Sequence, residues 1–212
     1  MLLCKDETTR ADILHSAEKL FQHYGLKKTT MEDIAKAMGK GKSTLYYYYC
    51  SKEEIFEAVV KKDIGEVFRL TEQAVEFAET AVNKFRAFAV TKINALQNKS
   101  NLYQLVRGDI QESRKCLVHV KEDYSLQEIN LVKKILSFGI SSGEFGNVST
   151  DDLDILPLII VSAFVGLERD LFVDKKFADL ETRMDSIVNI LINGLRNNQY
   201  KTQSSVKSAL SQ

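Results

Sequence analysis

Apolar residues recur at helical spacing along most of the chain, and their stripes divide it into successive helices. Ile13, Leu14, Ala17, Leu20 and Phe21 line one face of a helix predicted over residues 9–24, with Gly25 as its stop. Thr29 with Glu32, or Thr30 with Asp33, has the spacing of a capping box, and Met31, Ile34, Ala35 and Met38 form the short stripe that follows. Gly39 and Gly41 come next, residues that tolerate the positive φ needed to end one helix and start another at a steep angle. A further helix begins near Lys42, with Leu45 and Tyr49 on one face and Ser43, Tyr46 and Tyr47 on the opposite one. Ser51-Lys52-Glu53-Glu54 reads as a second capping box, opening a long stripe through Ile55, Phe56, Val59, Val60, Ile64, Val67 and Phe68.

The remainder reads as more helix: residues 80–97, a short piece over 102–112, then 124–141. A loop over 142–149 separates these from helices over 150–173 and 177–198, and a polar tail runs from Lys201. Pro157 predicts a kink if its helix starts at Thr150, and none if it starts later. No strand pattern competes, so the fold class is all-α: a three-helix head followed by a helical-bundle body. The predicted boundaries are 1–52 for the head, 53–200 for the body and 201–212 for the tail. The run from Ile155 to Leu167 is too short for a membrane span and reads as a buried helix.

Composition agrees with a packed helical protein, at 44% hydrophobic residues with one proline and ten glycines in 212 residues. The formal net charge is zero, which excludes a uniform polycation, but its distribution is uneven. Residues 1–52 hold nine basic and six acidic side chains, against twenty and twenty-three in the rest. A modestly basic head on a modestly acidic body suits a protein that places only its head on DNA. Cys4, Cys50 and Cys116 are widely spaced with no C-x-x-C pair and no signal peptide before them, so they read as ordinary thiols in a reducing cytoplasm. His15, His23 and His119 make no recognised ligand spacing with them, and no metal or other cofactor is expected.

Residues 29–54 therefore form a helix, a glycine turn and a second helix, the punctuation of a helix-turn-helix. The outward face of the second helix offers a small hydroxyl and two phenols, with Lys42 and Thr44 at its margins. Such groups hydrogen-bond phosphates, meet base edges or touch thymine methyls.

This stretch resembles the DNA-binding domain of the tetracycline-repressor-like (TetR) regulators. The resemblance lies in Arg10, Leu20-Phe21, Gly25, Thr29-Thr30, Lys42-Ser43-Thr44-Leu45-Tyr46-Tyr47 and Ser51-Lys52-Glu53-Glu54, in the family's order and spacing, over about the first quarter of the chain. Two departures stand out. The family's common Gly-Val-Ser turn is Gly39-Lys40-Gly41 here, so the Lys40 stem is expected to cover an apolar site while its ammonium reaches solvent or DNA. Tyr49 stands where phenylalanine is common, and its hydroxyl needs a partner if buried.

The resemblance implies double-stranded DNA as partner, with Lys42, Ser43, Thr44 and Tyr46 at base edges and Thr29, Thr30, Tyr47 and Lys52 at phosphates. Leu158, Ile159, Val161, Ala163, Phe164, Val165 and Leu167, with Ile187, Val188, Ile190, Leu191, Ile192 and Leu195, are apolar on more than one face, which suits either a monomer's own bundle or a dimer. The resemblance favours the homodimer, and with it a palindromic operator. It further implies a repressor whose body takes a small-molecule effector that releases DNA. Candidate pocket residues are Phe85, Phe88, Tyr103, Phe138 and Phe164, with Arg107, Tyr124 and Glu168 as polar contacts; for the aromatics, core packing is the competing reading. An apolar body favours a lipophilic or aromatic effector. The alternative is a DNA-binding protein of the same scaffold that acts through a protein partner without an inducer. No phosphate loop, nucleophile elbow or carboxylate dyad stands out, so an enzyme is not expected.

Overall fold

A computed structural model describes residues 2–99, 110–173 and 180–196. Among the described residues it is built of α-helices: α1 Leu2–Lys28, α2 Met31–Ala37, α3 Lys42–Tyr48, α4 Lys52–Phe77, α5 Ala81–Asn98, α6 Ile110–Ser141, α7 Leu156–Glu168 and α8 Leu180–Leu195. A 3-10 turn, Asp151–Asp154, precedes α7, and a π-helical segment, Arg169–Val173, follows it. The all-α class expected from the apolar periodicity is the one observed. No helix among the described residues is long and apolar enough to cross a membrane.

The chain divides into two compact units, Met1–Val67 with Gln97–Tyr124 and Phe68–Leu96 with Ser125–Gln212. In the first unit, the predicted stripes become one core. Ile13, Ala17 and Phe21 of α1, Ile34 of α2, Leu45 of α3 and Ile55, Phe56 and Val59 of α4 are fully buried together. Phe21 and Phe56 meet edge to face at 5.3 Å, a geometry favoured by aromatic quadrupoles. Leu117 of α6 also belongs to this core.

In the second unit Phe85, Phe88 and Ala89 of α5, Val132, Ile135 and Leu136 of α6, and Val161 and Phe164 of α7 are buried. The loop after α6 is held by Glu144, whose carboxylate accepts from the Ala81 and Val82 backbone N–H groups at 2.9 and 3.3 Å and so caps α5. Phe145 lies so close to Gly139 that a Cβ there would overlap its ring.

Three boundaries differ from the sequence reading. α1 starts at Leu2 rather than near residue 9, and its regular geometry breaks at Gly25, where φ is 78°. α6 is continuous from Ile110, where a break between residues 112 and 124 was expected; residues 110–124 contain neither glycine nor proline to interrupt it. Pro157 opens α7 instead of kinking it. A proline in the first helical turn forfeits no backbone hydrogen bond, because its missing N–H has no partner there anyway.

Candidate nucleic-acid interface

The reading head is set by two caps and a tight reversal. Thr30 is the N-cap of α2, and the open choice between two capping boxes is settled in its favour. Its hydroxyl accepts from the Asp33 N–H at 3.2 Å and donates to the Asp33 carboxylate at 2.7 Å, while that carboxylate also accepts from the Thr30 N–H at 2.9 Å. These bonds, the hydroxyl's first, hold the Asp33 carboxyl below its ordinary value. Met31, Ile34 and Ala35 turn inward. After α2, Gly39 takes φ 63°, which lets its N–H reach the Lys36 carbonyl and the Lys40 N–H the Ala35 carbonyl, both at 3.0 Å. Gly41 does not need positive φ: at −76° it is the N-cap of α3, with no side chain to serve as a cap. Lys40 is exposed.

α3 then presents its two faces as the 100° spacing requires. Leu45 and Tyr49 are buried, whereas Ser43, Tyr46 and Tyr47 are exposed, Tyr46 to 53% and Tyr47 to 77%. Thr44 is half-buried at the margin. Two exposed phenols on a seven-residue helix are costly in water alone and suit a surface that will be covered. Tyr48 points sideways, donating to the Asp6 carboxylate at 2.6 Å, and that acceptor raises the phenol above its ordinary value. The Arg10 guanidinium lies over the Tyr48 and Tyr49 rings at 5.5 and 5.8 Å. α1 therefore braces the back of α3.

Lys42, at the first position of α3, donates to the Glu32 carboxylate of α2 at 2.8 Å. The bond lowers the Glu32 carboxyl and raises the Lys42 ammonium relative to their ordinary values. Lys27, Lys28, Lys36 and Lys40 are exposed on the same head.

Two residues expected at phosphates have internal partners. Thr29 is 1% exposed, and its hydroxyl donates to the Gly25 carbonyl at 2.8 Å, closing the end of α1. Lys52 donates to the carbonyls of Leu26, Lys27 and Thr29 at 2.9, 3.2 and 3.0 Å, using all three ammonium protons. Residue type and spacing had singled out both threonines and Lys52, but not which way each side chain turns. The sequence reading has Glu32 only as a capping partner of Thr29; its pairing with Lys42, and that of Asp6 with Tyr48, were missed because the partners lie 10 and 42 positions away in sequence. The second capping box is also altered: the Ser51 hydroxyl accepts from the Glu54 N–H at 3.2 Å, but the Glu54 carboxylate takes the Cys50 N–H instead.

Of the pocket candidates, Phe85, Phe88 and Phe164 are brought together and buried, with Phe88 and Phe164 edge to face at 5.5 Å. Glu168 is buried beside them in an ion cluster that the sequence reading had not assembled. The Lys92 ammonium lies 2.7 Å from both Glu128 and Glu168 and 5.9 Å from the Phe88 ring centroid. Burial pushes that ammonium down, but Glu168 and Glu128 more than offset it and leave it above its ordinary value. Phe138 is exposed beneath Lys84. Tyr124 belongs to the first unit, where its hydroxyl donates to the Lys61 carbonyl at 3.2 Å. Tyr103 and Arg107 lie outside the described residues. Among the described residues no three His, Cys, Asp or Glu side chains converge as a metal site.

Comparison with known proteins agrees with this head. Residues 13–59 match the family model "Bacterial regulatory proteins, tetR family". A fatty acid metabolism regulator protein of Bacillus subtilis is 23% identical over 188 residues, covering 87% of this chain and 94% of that protein. The crystal structure of a transcriptional regulator from Cytophaga hutchinsonii, 25% identical, superposes with a TM-score of 0.71 over 87% of this chain and 97% of the other. The transcriptional regulator FadR from Bacillus subtilis, solved in complex with stearoyl-CoA, shares the fold at 21% identity and a TM-score of 0.68, over 88% and 99% of the two chains. A capped α2, a glycine reversal and an α3 with its phenols turned outward are thus the parts of a known head, and residues 13–59 form the DNA-binding domain of the bacterial regulatory proteins of the tetR family.

Proposed function

We propose that this chain is a repressor that binds a palindromic operator as a homodimer and is released by a lipophilic small-molecule effector. The observation that carries the reading is the outward face of α3, where Ser43, Tyr46 and Tyr47 stand exposed beside Lys42 and Thr44. Lys42, Ser43, Thr44 and Tyr46 meet base edges in this reading, and Thr30 and Tyr47 meet phosphates. Thr29 and Lys52 shape the turn between α1 and α2 instead, because Thr29 is buried against Gly25, whereas Thr30 is exposed, and Lys52 gives all three of its protons to carbonyls. Residues 1–52 read DNA in the cytoplasm, and residues 53–200 carry dimerisation and effector binding.

The dimer is supported by α7 and α8. Val161 and Phe164, and Val188 and Ile192, are buried within one chain, whereas Leu158, Ile159, Val165, Ile190 and Leu191 remain exposed. Apolar residues on a second face call for a second covering surface. Two recognition helices related by a two-fold axis then address half-sites about one helical turn apart. The effector class is supported by the buried rings of Phe85, Phe88 and Phe164, and by the stearoyl-CoA bound in the Bacillus subtilis relative of the same fold. We infer a long-chain acyl compound, whose antagonism with DNA corresponds to a coupling of ~1–3 kcal/mol.

Selection of genomic fragments by the purified chain at near-physiological salt tests this. An enriched inverted repeat, bound by two chains and released by a long-chain acyl-CoA, is the expected result. Uniform, salt-sensitive binding would contradict the operator, and an enriched repeat that no acyl compound releases would point to a regulator working through a protein partner.

A further inference from the structure

α3 has a single basic residue, Lys42, and its ammonium is held at 2.8 Å by the carboxylate of Glu32 on α2. The α2 cap does not need that carboxylate, since Asp33 completes the capping box with Thr30. Both partners of the bridge face water, with side chains 51% and 72% exposed, so the ammonium can exchange one acceptor for another at small cost. We propose that Glu32 is a specificity-determining residue, an internal acceptor that holds Lys42 on non-matching DNA and yields it only to a base edge of the operator.

The inference rests on the reading of Lys42 as a base-edge contact. Its physical basis is competition. A phosphate met at random offers Lys42 one anionic oxygen in place of another, and Glu32, left beside the DNA, repels the backbone on every sequence. A guanine edge presents two acceptors, N7 and O6, that a lysine released from Glu32 can take together. Non-specific binding, which is supplied by phosphate contacts, therefore gains little from the one cation of the recognition helix. Specific binding keeps it.

The test compares operator and random duplexes of equal length across a salt series, for the wild-type chain, Glu32→Gln, Lys42→Gln and the double variant, with thermal melts to verify each fold. In Glu32→Gln the random duplex binds about threefold tighter or more, since an exposed ion pair no longer competes. Its salt slope steepens by about 0.9, one added phosphate contact. The operator gains less, so the operator-to-random ratio falls, and the fall disappears in the Lys42→Gln background. Equal tightening on both duplexes, or the same change of ratio without Lys42, would overturn the proposal and leave Glu32 a plain repulsive charge. A wild-type chain with no preference for any sequence would instead remove the functional reading, and this inference with it.

Discussion

Lys52→Ala removes an ammonium that three carbonyls share, those of Leu26, Lys27 and Thr29. Charge-assisted hydrogen bonds of this kind stabilise by about 1.5–3 kcal/mol, and the carbonyls left behind are partly solvated, so a loss of about 1–3 kcal/mol is expected in urea unfolding. Binding to every DNA sequence should weaken as the α1–α2 turn loosens, with the salt slope unchanged. A slope flattened by about 0.9 at unaltered stability would show that Lys52 contacts phosphate after all. Residue types alone could not separate these roles, because a lysine at a helix start beside a helix-turn-helix is suited to carbonyl and phosphate alike. The same limit applied to Thr29 and Thr30: adjacent, chemically identical, one buried against Gly25 and the other exposed as the cap of α2. Tyr49 is the converse case, a phenol turned inward as its spacing required, with the Arg10 guanidinium over its ring.

At the scale of elements, apolar periodicity located the helix-turn-helix well because α2 and α3 are short, α2 is capped by Thr30, and Gly39 and Gly41 mark the reversal between them. The misplaced boundaries were those with no such punctuation. The start of α1 carries no apolar stripe, and residues 110–124 are polar enough to read as a gap although nothing in them interrupts a helix. Pro157 was ambiguous by nature, since one residue can either kink a helix or begin it. The loop after α6 supplies a sharper test of packing. Gly139 leaves room for the Phe145 ring, which is 1% exposed. Gly139→Ala forces that ring or the helix to move, and overpacking of this kind costs about 1–3 kcal/mol. Thermal unfolding should record the loss, and Phe145→Leu in the same chain should recover part of it. An unchanged melting temperature in Gly139→Ala would mean that the ring has another place to go.

For the whole molecule, the exposed face of α3 was legible and the body much less so. The face depends on seven consecutive residues whose periodicity places Tyr46 and Tyr47 outward without knowledge of anything else. The body's ion cluster depends on Lys92, Glu128 and Glu168, which lie on three helices and meet only when those helices pack. Single-sequence spacing carries no information on such a meeting. The apolar second faces of α7 and α8 were legible as an excess, but their partner was not, since a bundle neighbour and a second copy of the chain satisfy the same pattern. The central claim, that the exposed face of α3 reads base edges, is tested most directly by base-by-base substitution of the selected operator, bound in turn by the wild-type chain and by Tyr46→Ala. The expected result is that Tyr46→Ala keeps its affinity for random DNA but loses discrimination at one symmetric pair of positions, by about 1–3 kcal/mol per base pair. Equal loss on operator and random DNA, with discrimination unchanged at every position, would contradict it.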